Sequence, residues 1–114
     1  MDVVYDVGRL AEQQKRAGEA WNEFLRVPDL SVGIYQLKAG EADAQTPHGE
    51  DEVYYVLSGR ARLVVDGTWH DVVPGGLLFV PARAEHRFAE ISEDLTLLVA
   101  FGPAEGSRPL TPAV

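Results

Sequence analysis

Three side chains have the types and spacing to hold a divalent metal: His48, Glu52 and His86. Two imidazoles and one carboxylate leave coordination positions open, and iron, manganese, nickel, copper and zinc all accept such donors. His48 and Glu52 are four residues apart, so they share one face of an extended strand if no bulge intervenes. Glu52, Tyr54 and Val56 continue that face, and His86 shares a face with Phe88 further along. A carboxylate on the inner face of an apolar barrel is costly unless a cation or a donor pairs with it. That cost is the physical reason to expect one divalent ion. The competing arrangement is a hydrogen-bonded His–Glu–His core without metal.

Two stretches carry these residues. The first runs from Gly40 to Gly59 and contains Gln45-Thr46-Pro47-His48, the acidic group Glu50-Asp51-Glu52 and the apolar run Val53 to Leu57. The second is Pro74-Gly75-Gly76 followed by Leu77 to Val80, Pro81-Ala82-Arg83 and Glu85-His86-Arg87-Phe88. Together they resemble the paired motifs of the cupin family. In the first motif, Thr46-Pro47-His48 stands where that family has His-x-His, and Glu52 and Gly59 fall in register. In the second, Gly75, Pro81 and His86 fall in register, Arg83 replaces a turn glycine, and Glu90 stands where Asn is usual. The resemblance covers roughly residues 28 to 103. It implies an all-β fold, a cupin-type antiparallel jelly-roll β-barrel, and it implies a homodimer. Thr46 in place of the first metal His makes Gln45 a candidate further oxygen ligand, with water as the other way to fill the gap.

The elements that must position these residues can be read along the chain. Asp6 caps a helical stretch in which Leu10, Ala11, Gln14, Ala17 and Ala20-Trp21 recur near helical spacing. Met1 to Tyr5 alternates weakly, as a short edge strand would. Asn22 to Val27 and Leu30 to Leu37 read as strands around Pro28-Asp29. Tyr35 and Gln36 lie on opposite faces, so one of them looks into the barrel. Val53 to Leu57 is a strand turned by Ser58-Gly59, and Arg60 to Val65 is the next. Asp66-Gly67 is a hairpin signal, and Trp69 to Val73 returns. Leu77 to Val80 reads as a short buried strand. Glu85 to Ile91 follows, and Ser92-Glu93-Asp94 turns the chain into Leu95 to Phe101. Short strands with turn signals at this spacing define a sandwich or barrel. The organisation is one domain: residues 1–27 a helical and strand segment packed on the barrel, 28–103 the barrel, and 104–114 a tail.

Composition sets the remaining bounds. The chain has 114 residues, no cysteine and a net charge of −8. Disulfides and thiol nucleophiles are excluded, which suits a reducing, cytoplasmic setting. The charge would repel a phosphate backbone, so nucleic acid is not an expected partner. No apolar run is long enough to span a membrane as a helix. The expected partners are a small-molecule substrate or ligand and a second copy of the chain. Val53, Tyr55 and Leu57, on the outward face, would supply the contact between copies.

Thr46, Tyr54, Arg83 and Phe88 are the expected substrate-pocket residues. Arg83 has the fork geometry to bind a substrate carboxylate, although a solvated loop position is the favoured plain reading. Glu50 and Asp51 read as solvated loop charges, His70 as a surface residue, and Trp21 and Trp69 as packing residues. No Gly-x-Ser-x-Gly, phosphate loop or dinucleotide fingerprint occurs. Two function classes follow. One is a metal-dependent enzyme, with dioxygenase-like oxidation of a small organic molecule first and isomerisation or decarboxylation as alternatives. The other is a small-molecule-binding module without catalysis.

Overall fold

A computed structural model describes residues 2–43, 45, 47–108 and 110. Asp6 opens the helix α1 (Val7–Ala17) by accepting a hydrogen bond from the Arg9 amide, and Gly18, at φ 70°, closes it. The helix is pinned to the sheet through amides. Gln14, its one buried residue, donates to the carbonyls of Ala20 and Ile34, and Gln36 donates back to Ala11. Two sequence expectations fail here. Residues 2–5 form no strand, and Tyr5 packs on Phe24 instead, with ring centroids 5.1 Å apart. Ala20-Trp21 does not continue the helix, because Gly18 reverses the chain and Trp21 begins a strand.

Six antiparallel strands follow: β1 (Trp21–Val27), β2 (Leu30–Leu37), β3 (Asp51–Val65), β4 (Thr68–Val72), β5 (Leu77–Val80) and β6 (His86–Gly102). Their order is β1-β2-β6-β3-β4, with β5 also paired to β3. The long strands β3 and β6 carry the architecture. Ser58-Gly59 and Ser92-Glu93-Asp94, expected as turns, are instead irregular points within these strands. The β3–β6 register shifts between Val56 and Arg62. Gly59 sits there at φ 99°, where a Cβ would come within 2.7 Å of Leu95 Cα. Paired strands with such bulges bend rather than end, and the bend curls the sheet into a barrel. Asp66-Gly67 makes the expected two-residue hairpin, with both residues at positive φ and Val65 paired to Thr68.

The core fills the inside of this curl. Along β3 the buried side chains alternate as Glu52, Tyr54 and Val56, then Ala61 and Leu63 beyond the bulge. Phe88, Ile91, Leu95, Leu97, Val99 and Phe101 face them from β6. The expected buried strand at Leu77 to Val80 is only half so. Val80 is buried, but Leu77 and Phe79 are 68% and 59% exposed, because β5 presents one face outward. The segment after β6 is not a free tail over its described part. Ala104 is buried, and the amides of Gly106 and Arg108 both donate to the Glu50 carboxylate (3.0 and 2.8 Å). Glu50 is therefore a buried anchor rather than a solvated charge. No helix among the described residues is long and apolar enough to cross a membrane.

Candidate functional site

The start of β3 and the start of β6 bring the three expected ligands together. Glu52 pairs across to Phe101 of β6 and Val80 of β5, which fixes its side chain on the inner face. His86 opens β6 opposite Val65. His48 lies in the loop before β3, and its carbonyl accepts the Arg83 amide at 2.6 Å. That contact ties the first-motif loop to the second-motif turn. Arg83 adopts φ 71°, the left-handed conformation for which glycine is the usual residue.

One ligand atom from each of His48, Glu52 and His86 lies within 4.8 Å of the others. Glu52 Oε1 is 3.2 Å from His86 Nε2 and 3.6 Å from His48 Nε2. Donor atoms sharing one ion at about 2.1 Å stand roughly 3–3.5 Å apart, so the two distances from Glu52 are close to those a divalent metal requires. Hydrogen bonding gives an independent fit. Among the described residues, four buried side-chain polar atoms lack a hydrogen-bond partner, and three are His48 Nε2, Glu52 Oε1 and His86 Nε2. Buried polar atoms are normally satisfied, and one ion would satisfy all three. The ring of His86 is oriented for this role. Its Nδ1 lies 3.0 Å from the Ala84 carbonyl, and donation there leaves Nε2 bare toward Glu52.

The two imidazoles differ. Burial pulls the His48 pKa down, and the Glu52 carboxylate only partly offsets this. Burial also acts to lower His86, but Glu52 and the Ala84 carbonyl outweigh it and the net shift is upward. Without a metal, His86 therefore takes up a proton before His48.

A cavity of about 250 Å³ opens onto His48 and Glu52, lined also by Trp21, Tyr35, Gln45, Tyr54, Val99, Phe101 and Glu105. A polar network braces one wall. The buried Asp43 carboxylate accepts from the Tyr35 hydroxyl, the Gln45 amide and the Phe88 backbone N–H, each at 2.8 Å. Tyr54 donates to the Gln45 amide oxygen at 3.1 Å. Burial, reinforced by Asp43 at Tyr35 and by Glu52 at Tyr54, raises both phenol pKa values far above the usual range. Both tyrosines therefore stay protonated.

The expected residues divide accordingly. His48, Glu52 and His86 meet, and Tyr54 lines the cavity. Gln45 lines it too, but within the Asp43–Tyr54 network. Phe88 is 1% exposed and packs edge-on against Tyr54, behind the cavity wall. Arg83 is exposed and outside the lining, on a turn at positive φ. Thr46 lies outside the described residues. Sequence reasoning missed Asp43, Phe101 and Glu105, and it assigned Trp21 to packing alone. The one available signal was the alternation that places Trp21, Tyr35 and Phe101 on inward faces. Glu105 carries none, since it reaches the cavity by the fold-back of a segment expected to be a tail.

A small antiparallel barrel with a His/Glu/His cluster on its inner face is the arrangement that the two sequence motifs imply. The chain belongs to the cupin family: residues 33–101 match the cupin domain. An uncharacterized protein of Streptomyces coelicolor is 46% identical over 95 residues, covering 82% of this chain and 90% of that one. Dimethylsulfoniopropionate lyase DddW of Ruegeria pomeroyi is 29% identical over 76 residues, covering 67% of this chain. The match spans only 50% of that lyase. Among solved structures, KdgF from a Halomonas species superposes with a TM-score of 0.66 at 20% identity. That superposition covers 73% of this chain and 76% of KdgF.

Proposed function

We propose that this protein is a metal-dependent enzyme acting on a small organic molecule, with oxidation of the substrate as the first reading. The observation that carries it is the convergence of three buried, unsatisfied donors beside a cavity. Two His and one carboxylate with open positions are the ligand set of non-haem iron oxygenases. His48, Glu52 and His86 would hold the ion, which when bound supplies Lewis-acid or redox chemistry. The chain's own residues do the rest. Trp21, Val99 and Phe101 give apolar walls that displace water, and the protonated Tyr54, whose hydroxyl donates to Gln45, braces the wall beside Glu52. A cavity of about 250 Å³ suits a small organic substrate.

A lyase reaction is the second reading, favoured by the similarity to dimethylsulfoniopropionate lyase. Oxygen uptake by iron-loaded protein, measured across phenols, diketones and keto acids, tests the first. Substrate-dependent oxygen uptake supports oxidation. Turnover that persists unchanged without oxygen supports the lyase. Ligand binding without turnover under either condition replaces both with the binding module.

We further propose that the working form is a homodimer. Val53 pairs with Phe79 and Tyr55 with Leu77, so one outward patch gathers four apolar side chains. Leu57 extends it and is 37% exposed. A contiguous apolar face on paired strands is suited to being covered by a second copy.

A further inference from the structure

The cavity beside the His/Glu/His cluster has an unusual balance of charge. Among its described lining residues there is no lysine or arginine, while two carboxylates, Glu52 and Glu105, face it. Glu52 belongs to the cluster. Glu105 does not, and its carboxylate takes part in no ion pair among the described residues.

The position of Glu105 is nevertheless held from several sides. Its amide donates to Ser31 Oγ at 2.9 Å, and its carbonyl accepts from the Arg26 guanidinium at 2.8 Å. The next amide, that of Gly106, donates to the buried Glu50. Arg26 thus spends a donor on the backbone of Glu105, and Glu105, which lines the cavity, makes no ion pair among the described residues. Part of the lining is aromatic. Trp21 meets Tyr35 and Phe101 edge-on, with ring centroids 6.4 and 6.2 Å away. Aromatic faces attract cations, and a nearby carboxylate adds a counter-charge. An anionic group finds no basic side chain there.

We propose that this cavity selects small organic cations, with Glu105 as the counter-charge and Trp21, Tyr35 and Phe101 as the receiving walls. The inference rests on the reading of the cavity as the substrate site, and it names the class of substrate: a molecule with a ligating oxygen at one end and a cationic group at the other. It also replaces Arg83 as a specificity residue, since Arg83 lies outside the cavity.

The test uses two probes of the same shape, choline and its neutral carbon isostere 3,3-dimethylbutan-1-ol. Both are titrated into metal-loaded protein while the indole N–H of Trp21 is followed by NMR. Choline is expected to bind about tenfold more tightly than the neutral alcohol. Glu105→Gln is expected to bring the two within about twofold, because the counter-charge is gone while the aromatic wall remains. Glu12→Gln, on the exposed helix, removes the same charge far from the cavity and keeps the wild-type preference. Equal binding of the two probes, no binding of choline, or an unchanged preference in Glu105→Gln would overturn the inference. Repeating the titration after EDTA treatment separates it from the metal. A choline preference that survives there, and still needs Glu105, supports the inference whatever the metal content. Protein that holds one metal yet shows no preference overturns it and leaves the metal reading in place.

Discussion

Trp21 reaches the cavity because position 33 has no side chain. A Cβ on Gly33 would come within 2.8 Å of the indole Cζ2 and 2.7 Å of the Asn22 carbonyl. Gly33 pairs with Glu23 on β1, so the indole crosses the neighbouring strand through the space the glycine leaves. Gly33→Ala is expected to destabilise the fold by about 1–3 kcal/mol, as overpacking in a tight site does. In a Trp69→Phe background, where Trp21 is the remaining tryptophan, its emission should shift to the red as the indole is pushed toward water. Denaturant unfolding and fluorescence check both parts, and unchanged stability with unchanged emission contradicts the packing described.

Glu50 holds the C-terminal segment. Its two carboxylate oxygens accept the Gly106 and Arg108 amides, and Gly49 beside it lies so close to Arg108 that a Cβ would come within 2.7 Å of the Arg108 Cβ. Glu50→Ala leaves two backbone donors without their acceptor, at a cost of about 1–3 kcal/mol. Hydrogen exchange at Gly106 and Arg108 should accelerate in that variant, while exchange at Tyr54 and Val99 in the barrel changes far less. Uniform acceleration across both sets would show that Glu50 supports the whole barrel rather than this segment.

Glu105 gives stability a pH dependence of definite sign. Burial first, then the acids Glu52, Glu23 and Glu50, raise its pKa above the ordinary 4.5, and Arg26 offsets this only in part. A carboxyl raised in the folded state binds its proton more tightly there than in the unfolded chain. Its ionised form therefore costs stability above the folded pKa, and the cost disappears below about 4.5. In EDTA-treated protein, Glu105→Gln should melt above wild type at pH 7, and the gap should close as pH falls toward 4. A gap that widens on acidification has the wrong sign for this account.

The dimer proposal centres on Phe79 and Leu77, the most exposed apolar side chains of β5. Wild-type protein should run as a dimer in light scattering at micromolar concentration. Phe79→Glu should shift it toward monomer without unfolding it, because Phe79 contributes little to the barrel interior. A wild-type monomer, or a variant that remains dimeric, removes this face as the interface.

Much of the site was legible because it depends on strand alternation. Glu52, Tyr54 and Val56 at two-residue spacing follow from the pleat alone, whereas His48 reaches Glu52 from the loop before β3, where alternation does not apply. The hairpin at Asp66-Gly67 was legible because two consecutive positive φ values admit few residues. What failed depends on partners. Ser58-Gly59 looks locally like a turn, and only the facing strand β6 makes it a bulge. Leu77 and Phe79 are as apolar as core residues, and nothing local says that β5 turns one face outward. Glu50 and Asp43 look like solvated acids until the backbone amides that they accept are in place. Glu105 is a cavity residue only through a fold-back involving contacts some seventy residues apart in sequence, such as that with Ser31.

The central claim is that His48, Glu52 and His86 hold one divalent ion, and elemental analysis of untagged protein tests it most directly. The account predicts about one equivalent of a single transition metal in the wild type. It predicts loss of that metal in His48→Ala, in His86→Ala and in Glu52→Gln, with the barrel still folded by circular dichroism. Wild-type protein that binds no transition metal even after reconstitution, or variants that keep a full equivalent, would contradict it.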